Sequence, residues 1–296
     1  LSLQWLKPLV SRPKLMIKKF TYKLFLTLAT SLLLLTSLCL TSPLTTRNHL
    51  HKQLVVQPTL YFHGWAGSAN STNHLIAAAA ALPQVKKVLT ITVTESGQLA
   101  ISGSWQDNVK YPLIQVLFAN NQAEIPQQAR WIDRVVTYLQ TNYHIQSFNI
   151  VTHSMAGPAT FYWAITSYRP TYPQFNKFVA IAGPFDGVIH IDDVPNQNYF
   201  RTDGLPAYQN AAFKNYYRQR QAFPKNTQVL NVYGNLADGS NSDSLVTNVS
   251  ARSLGSLVKG QVASYQEITI TGPSAQHSRL HNNDQVNHVV DNFLFK

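Results

Sequence analysis

The chain has 296 residues, 45% of them apolar and only 12% charged; this is a globular composition, with ample material for a buried core and too little charge for intrinsic disorder. The formal net charge is +11, but residues 1–43 hold six Lys/Arg and no acid, so the remainder carries 18 bases against 13 acids, a net +5. Those bases are scattered, apart from Arg218 and Arg220 near Lys214 and Lys225. Such a mild positive surface suits an anionic envelope and argues against nucleic-acid binding, which needs a concentrated basic stripe.

In chain order, the first feature is an address. From Met16, the basic residues Lys18, Lys19 and Lys23 precede an uncharged apolar run, Leu24 to Leu40, and small residues follow. That order is a secretory signal. The run is at the short edge for a membrane span, so a retained anchor stays open, all the more because Pro43 follows Ser42 and no Ala-x-Ala site is present. Residues 1–50 are therefore assigned to a signal peptide or N-terminal membrane anchor with its linker, and residues 51–296 to one folded domain. The single cysteine, Cys39, lies in the apolar run. The folded part is then cysteine-free, as suits an exported protein of an organism that uses few disulfides.

The folded part alternates strand-like and helix-like segments. TLYF (59–62) is a buried strand. STNHLIAAAAALP starts on a Ser cap and stops before Pro83, which predicts a helix. VLTITVT (88–94) and LIQVLFA (113–119) are apolar, β-rich strands, with a short β excursion expected over 95–112. IPQQARWIDRVVTYLQTNY places Pro126 at a helix start and Trp131, Val135 and Leu139 on one face. FNIVTH (148–153) is a strand, followed by a small-residue helix over 155–168. FVAIAG (178–183), QVLNVYG (228–234) and YQEITITG (265–272) are further strands, with helices over 245–258 and 284–294. Strands alternating with helices predict an α/β fold with a mostly parallel central sheet and helices on both faces. Residues 184–226 break the rhythm with many aromatics, and are expected to form a cap insertion over the C-terminal edge of the sheet. Their aromatics suggest either an apolar acyl site or plain packing.

Within FNIVTHSMAGPAT, Ser154 follows a strand and precedes a helix, the setting of a nucleophile elbow. The usual pattern has glycine two residues either side of the serine. Here those places hold Thr152 and Ala156, with Gly157 one further on. A helix N-cap serine would look similar. A nucleophilic serine needs a histidine held by an acid further along the chain, and two polar loops after strands offer them: NLADGSNSDSLV and PSAQHSRLHNNDQV. Met155, the residue after the serine, would supply one backbone N–H to an oxyanion.

The segments HGWAGSANS, FNIVTHSMAG, IAGPFDG, SDSLV with SARSL, and AQHSRLH together make the chain resemble an α/β hydrolase related to small bacterial lipases. It resembles still more closely the Gram-positive cell-surface hydrolases classed as domain of unknown function 915. The likeness spans about residues 58–294. In similar lipases the acid has valine three places on, as Asp243 has Val246, and the base has leucine three and valine nine places on, as His277 has Leu280 and Val286. The resemblance thus implies Ser154, Asp243 and His277 as the triad, with Asp238 and His281 as competitors. It also implies Trp65 as the second oxyanion N–H donor. His63 is expected to shape that loop, and His153 to point away from the serine as packing.

The leading expectation is an exported or cell-surface serine hydrolase cleaving carboxylic esters, small-molecule or lipid-like, without cofactor or metal. Two alternatives stand beside it. His277, His281, Asp284 and His288 have helical spacing that would let them share a metal if one helix ran through them. A hydrolase-fold surface protein could also bind envelope material without catalysis.

Overall fold

The computed structural model describes residues 55–296. The signal or anchor assignment for residues 1–50, and Cys39 with it, lies outside the described residues. Among those described, no helix is long and apolar enough to cross a membrane.

The strands are β1 (Thr59–Phe62), β2 (Val85–Val93), β3 (Leu99–Gly103), β4 (Tyr111–Phe118), β5 (Ser147–His153), β6 (Gln174–Ile181), β7 (Gln228–Asn235) and β8 (Ser264–Thr271). The helices are α1 (Asn70–Ala80), α2 (Ile125–Tyr143), α3 (Ala156–Thr166), α4 (Ala211–Gln219), α5 (Asn248–Val258) and α6 (Asp284–Phe295). The strands form an eight-stranded sheet in the order β3-β2-β4-β1-β5-β6-β7-β8. Only the β2–β3 pair is antiparallel. From β1 the chain winds outward to β2, whereas from β5 it winds the other way, to β6. The crevice beyond the C-terminal ends of β1 and β5 is therefore the topological switch point, where such sheets present their chemistry.

Period-two alternation assigns each strand residue to one of two cores. Leu60 and Phe62 of β1, and Phe148 and Ile150 of β5, face the layer that holds Trp131 and Val135 of α2, Phe161 and Trp163 of α3, and Leu254 of α5. Tyr61 and Val151 face the opposite layer, with Leu75 and Ile76 of α1 and Val286, Val290 and Leu294 of α6. All of these side chains are buried.

Three sequence expectations change in detail. The N-cap of α1 is Ala69, without a side-chain cap, and Ser71 sits inside the helix; the first turn is closed instead by the Ser68 and Ala69 carbonyls, which accept from the Ser71 and Thr72 amides. β2 begins at Val85 and β6 at Gln174, because ladder pairing recruits Lys86, Lys87, Gln174 and Lys177 whatever their polarity. The predicted 245–258 helix starts at Asn248, since Thr247 caps it by accepting from the Ser250 amide.

The 184–226 segment serves two purposes. Its second half, α4, is the β6–β7 crossover, and Phe213, Tyr216 and Phe223 are core residues packed with Phe161. Phe185 is core as well, while Tyr199 and Tyr208 are exposed and meet edge to face. The first half is strapped to the loop after β7: the Ile189 amide donates to the Leu245 carbonyl at 2.9 Å, and the Thr247 hydroxyl donates to Asp193 at 2.6 Å. Asp186 is buried at the base of this excursion. Burial pushes its carboxyl from the ordinary 3.8 to about 7, helped by the nearby carboxylates of Asp193 and Asp192 and opposed by the Asn210 and Asn198 N–H donors. A carboxyl whose folded pKa exceeds its unfolded value binds its proton more tightly in the folded chain. Its stabilising contribution is complete below about pH 4 and is lost as pH rises through about 7. Denaturant titrations should show the unfolding free energy falling on the order of 2–4 kcal/mol across that window from this group. Asp186→Asn should flatten the slope; an unchanged slope would contradict the assignment.

Candidate active site

β5 ends at His153 and α3 begins at Ala156, so the chain must reverse sharply between them. Ser154 absorbs the turn with φ 56°, a left-handed conformation that is costly for a non-glycine residue and persists only where its surroundings enforce it. The enforcement is visible: its amide donates to the Ile181 carbonyl at 2.8 Å, and its carbonyl accepts from the Gly157 amide at 2.9 Å. Thr152 fits the crowded approach because its hydroxyl donates to the Val179 carbonyl of β6 at 3.0 Å. Ala156 is fully buried.

His277 lies in a short 3-10 turn, His277–Asn282, between β8 and α6. Its Nε2 is 2.9 Å from the Ser154 Oγ, and its Nδ1 is 2.8 Å from Oδ2 of Asp243. The other oxygen of Asp243, Oδ1, accepts from the Leu245 and Val246 amides at 2.9 and 2.7 Å. Asp243 is 1% exposed and His277 5%. With the carboxylate an acceptor at both oxygens, Nδ1 is the ring nitrogen that donates to Asp243, which turns Nε2 to the serine hydroxyl. Asp238, the competing acid, is fully solvated and caps its own turn through the Ser240 amide. His281 contacts His153, with ring centroids 4.7 Å apart, and it is not hydrogen-bonded to Ser154.

The loop after β1 reaches the same point. A Cβ on Gly64 would lie 2.7 Å from the Ser154 Cβ and 2.9 Å from the His153 carbonyl, so only glycine permits this approach. His63 locks the loop as a neutral imidazole: Nδ1–H donates to the Gly64 carbonyl at 2.8 Å, and Nε2 accepts from the Phe118 amide at 3.0 Å. Burial lowers its pKa, which keeps it in that form. Asn121, after β4, holds the far side: its carbonyl accepts from the Ala66 amide at 2.7 Å, and its side chain donates to the Gly67 carbonyl at 2.8 Å. Among the described residues, neither the Trp65 nor the Met155 amide has an acceptor. Trp65 itself is exposed. Gly64→Ala should lower kcat about 100-fold or more, the scale for losing an oxyanion donor, with the fold retained by circular dichroism; turnover within about twofold of the parent would contradict the close approach.

The family model described as alpha/beta hydrolase of unknown function, DUF915, matches residues 47–296. The chain belongs to this family. Among solved structures it is similar to the lin2722 product of Listeria innocua, at 24% identity and a TM-score of 0.73, covering 81% of this chain and 94% of that one. It is also similar to the "putative cell surface hydrolase" of Lactobacillus plantarum WCFS1, at 25% identity and a TM-score of 0.65, covering 81% and 90%. No curated protein matches the chain.

The structure does not bring together the four residues of the metal alternative. Among the described residues no cluster of three His, Cys, Asp or Glu could hold an ion. Asp284 opens α6 and pairs with His74 at 3.4 Å, and His288 is exposed beside Asn292. His153, expected to point away from the serine as packing, is buried and not hydrogen-bonded to the Ser154 hydroxyl, and its ring also reaches the base loop, with Nε2 3.0 Å from the His277 carbonyl. Alternation in β5 sends Phe148, Ile150 and Thr152 to one face of the sheet and Val151 and His153 to the other, where the 277–282 turn lies. That parity is readable in the sequence.

Proposed function

We propose that this protein is a serine hydrolase that cleaves carboxylic esters through an acyl-enzyme intermediate. The observation that carries the reading is the unbroken hydrogen-bonded chain from the Ser154 hydroxyl through His277 to Asp243. Ser154 Oγ attacks the ester carbonyl while His277 Nε2 takes its proton. Asp243 stabilises the imidazolium through the Nδ1–H bond, and the Trp65 and Met155 amides donate to the oxyanion. The tetrahedral intermediate collapses as His277 gives the proton to the departing alcohol. Water, deprotonated in turn by His277, then releases the acid and restores the serine.

The order of Lys18, Lys19 and Lys23 before the apolar run Leu24–Leu40 supports export, so we place the enzyme outside the cell membrane, secreted or anchored, acting on a small or lipid-like ester and associated with the envelope. A panel of para-nitrophenyl esters from short to long acyl chains tests the activity and ranks substrates. Release of the phenol with saturation kinetics is expected. Silence across the panel would favour a binding protein built on the same fold.

A further inference from the structure

We infer that His153 is a positioning residue for the general base, tying His277 to the strand that carries the nucleophile. The inference rests on the ester-hydrolase reading and extends it to a residue outside the triad. The His153 imidazole is buried, and its Nε2 lies 3.0 Å from the His277 backbone carbonyl. A carbonyl only accepts, so Nε2 carries the proton and donates. The amide of His277 meanwhile donates to the Asp243 carbonyl at 2.8 Å. Both polar groups of the His277 peptide backbone are thus held by the acid and by the neighbour of the nucleophile, in addition to the two side-chain bonds at Nδ1 and Nε2.

The consequence is mechanical. His153 and Ser154 are consecutive, so the His153 bond fixes the base relative to the hydroxyl through one rigid residue pair at the end of β5. Without it, the base is held by Asp243 and by a 3-10 turn whose N-cap, Gln276, accepts only exposed bonds, from the Ser278 and Arg279 amides. The ring of His153 also lies against the ring of His277, with centroids 4.8 Å apart, and His281 packs nearly perpendicular on its other neighbour contact at 4.7 Å. Burial, reinforced by His277 and His281, holds His153 well below the ordinary histidine range, so it stays neutral and adds no competing charge when His277 becomes an imidazolium.

Three variants separate positioning from packing. His153→Leu fills the space without a donor. His153→Gln places an amide N–H near the position of Nε2, and His153→Asn carries the same amide on a shorter arm. We expect His153→Leu and His153→Asn to lower kcat about 10- to 100-fold with KM little changed, the scale for a small misplacement of a catalytic group, and His153→Gln to recover most of the loss. The rate of inactivation by a fluorophosphonate probe should follow the same order. Should His153→Leu fail to fold, the Gln–Asn contrast still decides. Equal activity of the Gln and Asn variants, or a Leu variant at the parent rate, would overturn the inference while leaving the hydrolase reading intact. A parent enzyme that the probe does not label at all would instead remove the reading on which it rests.

Discussion

Asp243→Asn lowers kcat for a short acyl ester about 10³- to 10⁴-fold, whereas Asp238→Asn leaves it within about twofold. The size of the first effect follows from how the carboxylate is held. Oδ1 already accepts two amides, from Leu245 and Val246. An asparagine keeps those bonds by placing its own oxygen there, which turns its NH₂ towards His277. Nδ1 must then accept, the imidazole proton moves to Nε2, and the ring can no longer take the serine proton. Asp238 is solvated and bonded only within its own turn, so its charge is screened from the site. The reverse pattern, with Asp238→Asn inactive and Asp243→Asn active, would overturn the assignment of the acid.

Ser154→Ala and His277→Ala each reduce kcat by roughly 10⁴-fold or more, and the double variant is no worse than either alone. Non-additivity is the expected signature because the hydroxyl and the imidazole act as one unit: without the base the serine is a weak nucleophile, and without the serine the base has no proton to take. The residual rate would come from the oxyanion donors and from binding. Losses that multiply in the double variant would mean that the two residues act in separate steps, contrary to the 2.9 Å contact between them.

Much of this architecture is legible in the chain because its signals are local. Apolar runs of four to eight residues mark the central strands, and the one-faced pattern of Trp131, Val135 and Leu139 marks α2. Strand ends are less legible: Gln174 and Lys177 join the sheet through pairings that their polar side chains do not advertise. The 184–226 segment is the hardest to read, since Phe213 and Tyr216 in the core and Tyr199 and Tyr208 at the surface belong to one compositional class and differ only in tertiary placement. Thr152 departs from the usual glycine at the elbow, and a sequence does not show that the Val179 carbonyl accepts from its hydroxyl. The meeting of Ser154, Asp243 and His277 is legible only through the motif resemblance. Strand parity carries the face on which His153 lies, yet a reading of that residue as packing does not reveal its acceptor, a carbonyl far along the chain.

Ester cleavage by this protein requires a reactive Ser154 hydroxyl. Incubation of the purified protein with a fluorophosphonate, followed by intact-mass measurement and peptide mapping, tests this directly. One adduct per chain, on Ser154 and absent from Ser154→Ala and His277→Ala, is the predicted result. An unmodified protein, or an adduct that survives in Ser154→Ala, would contradict it.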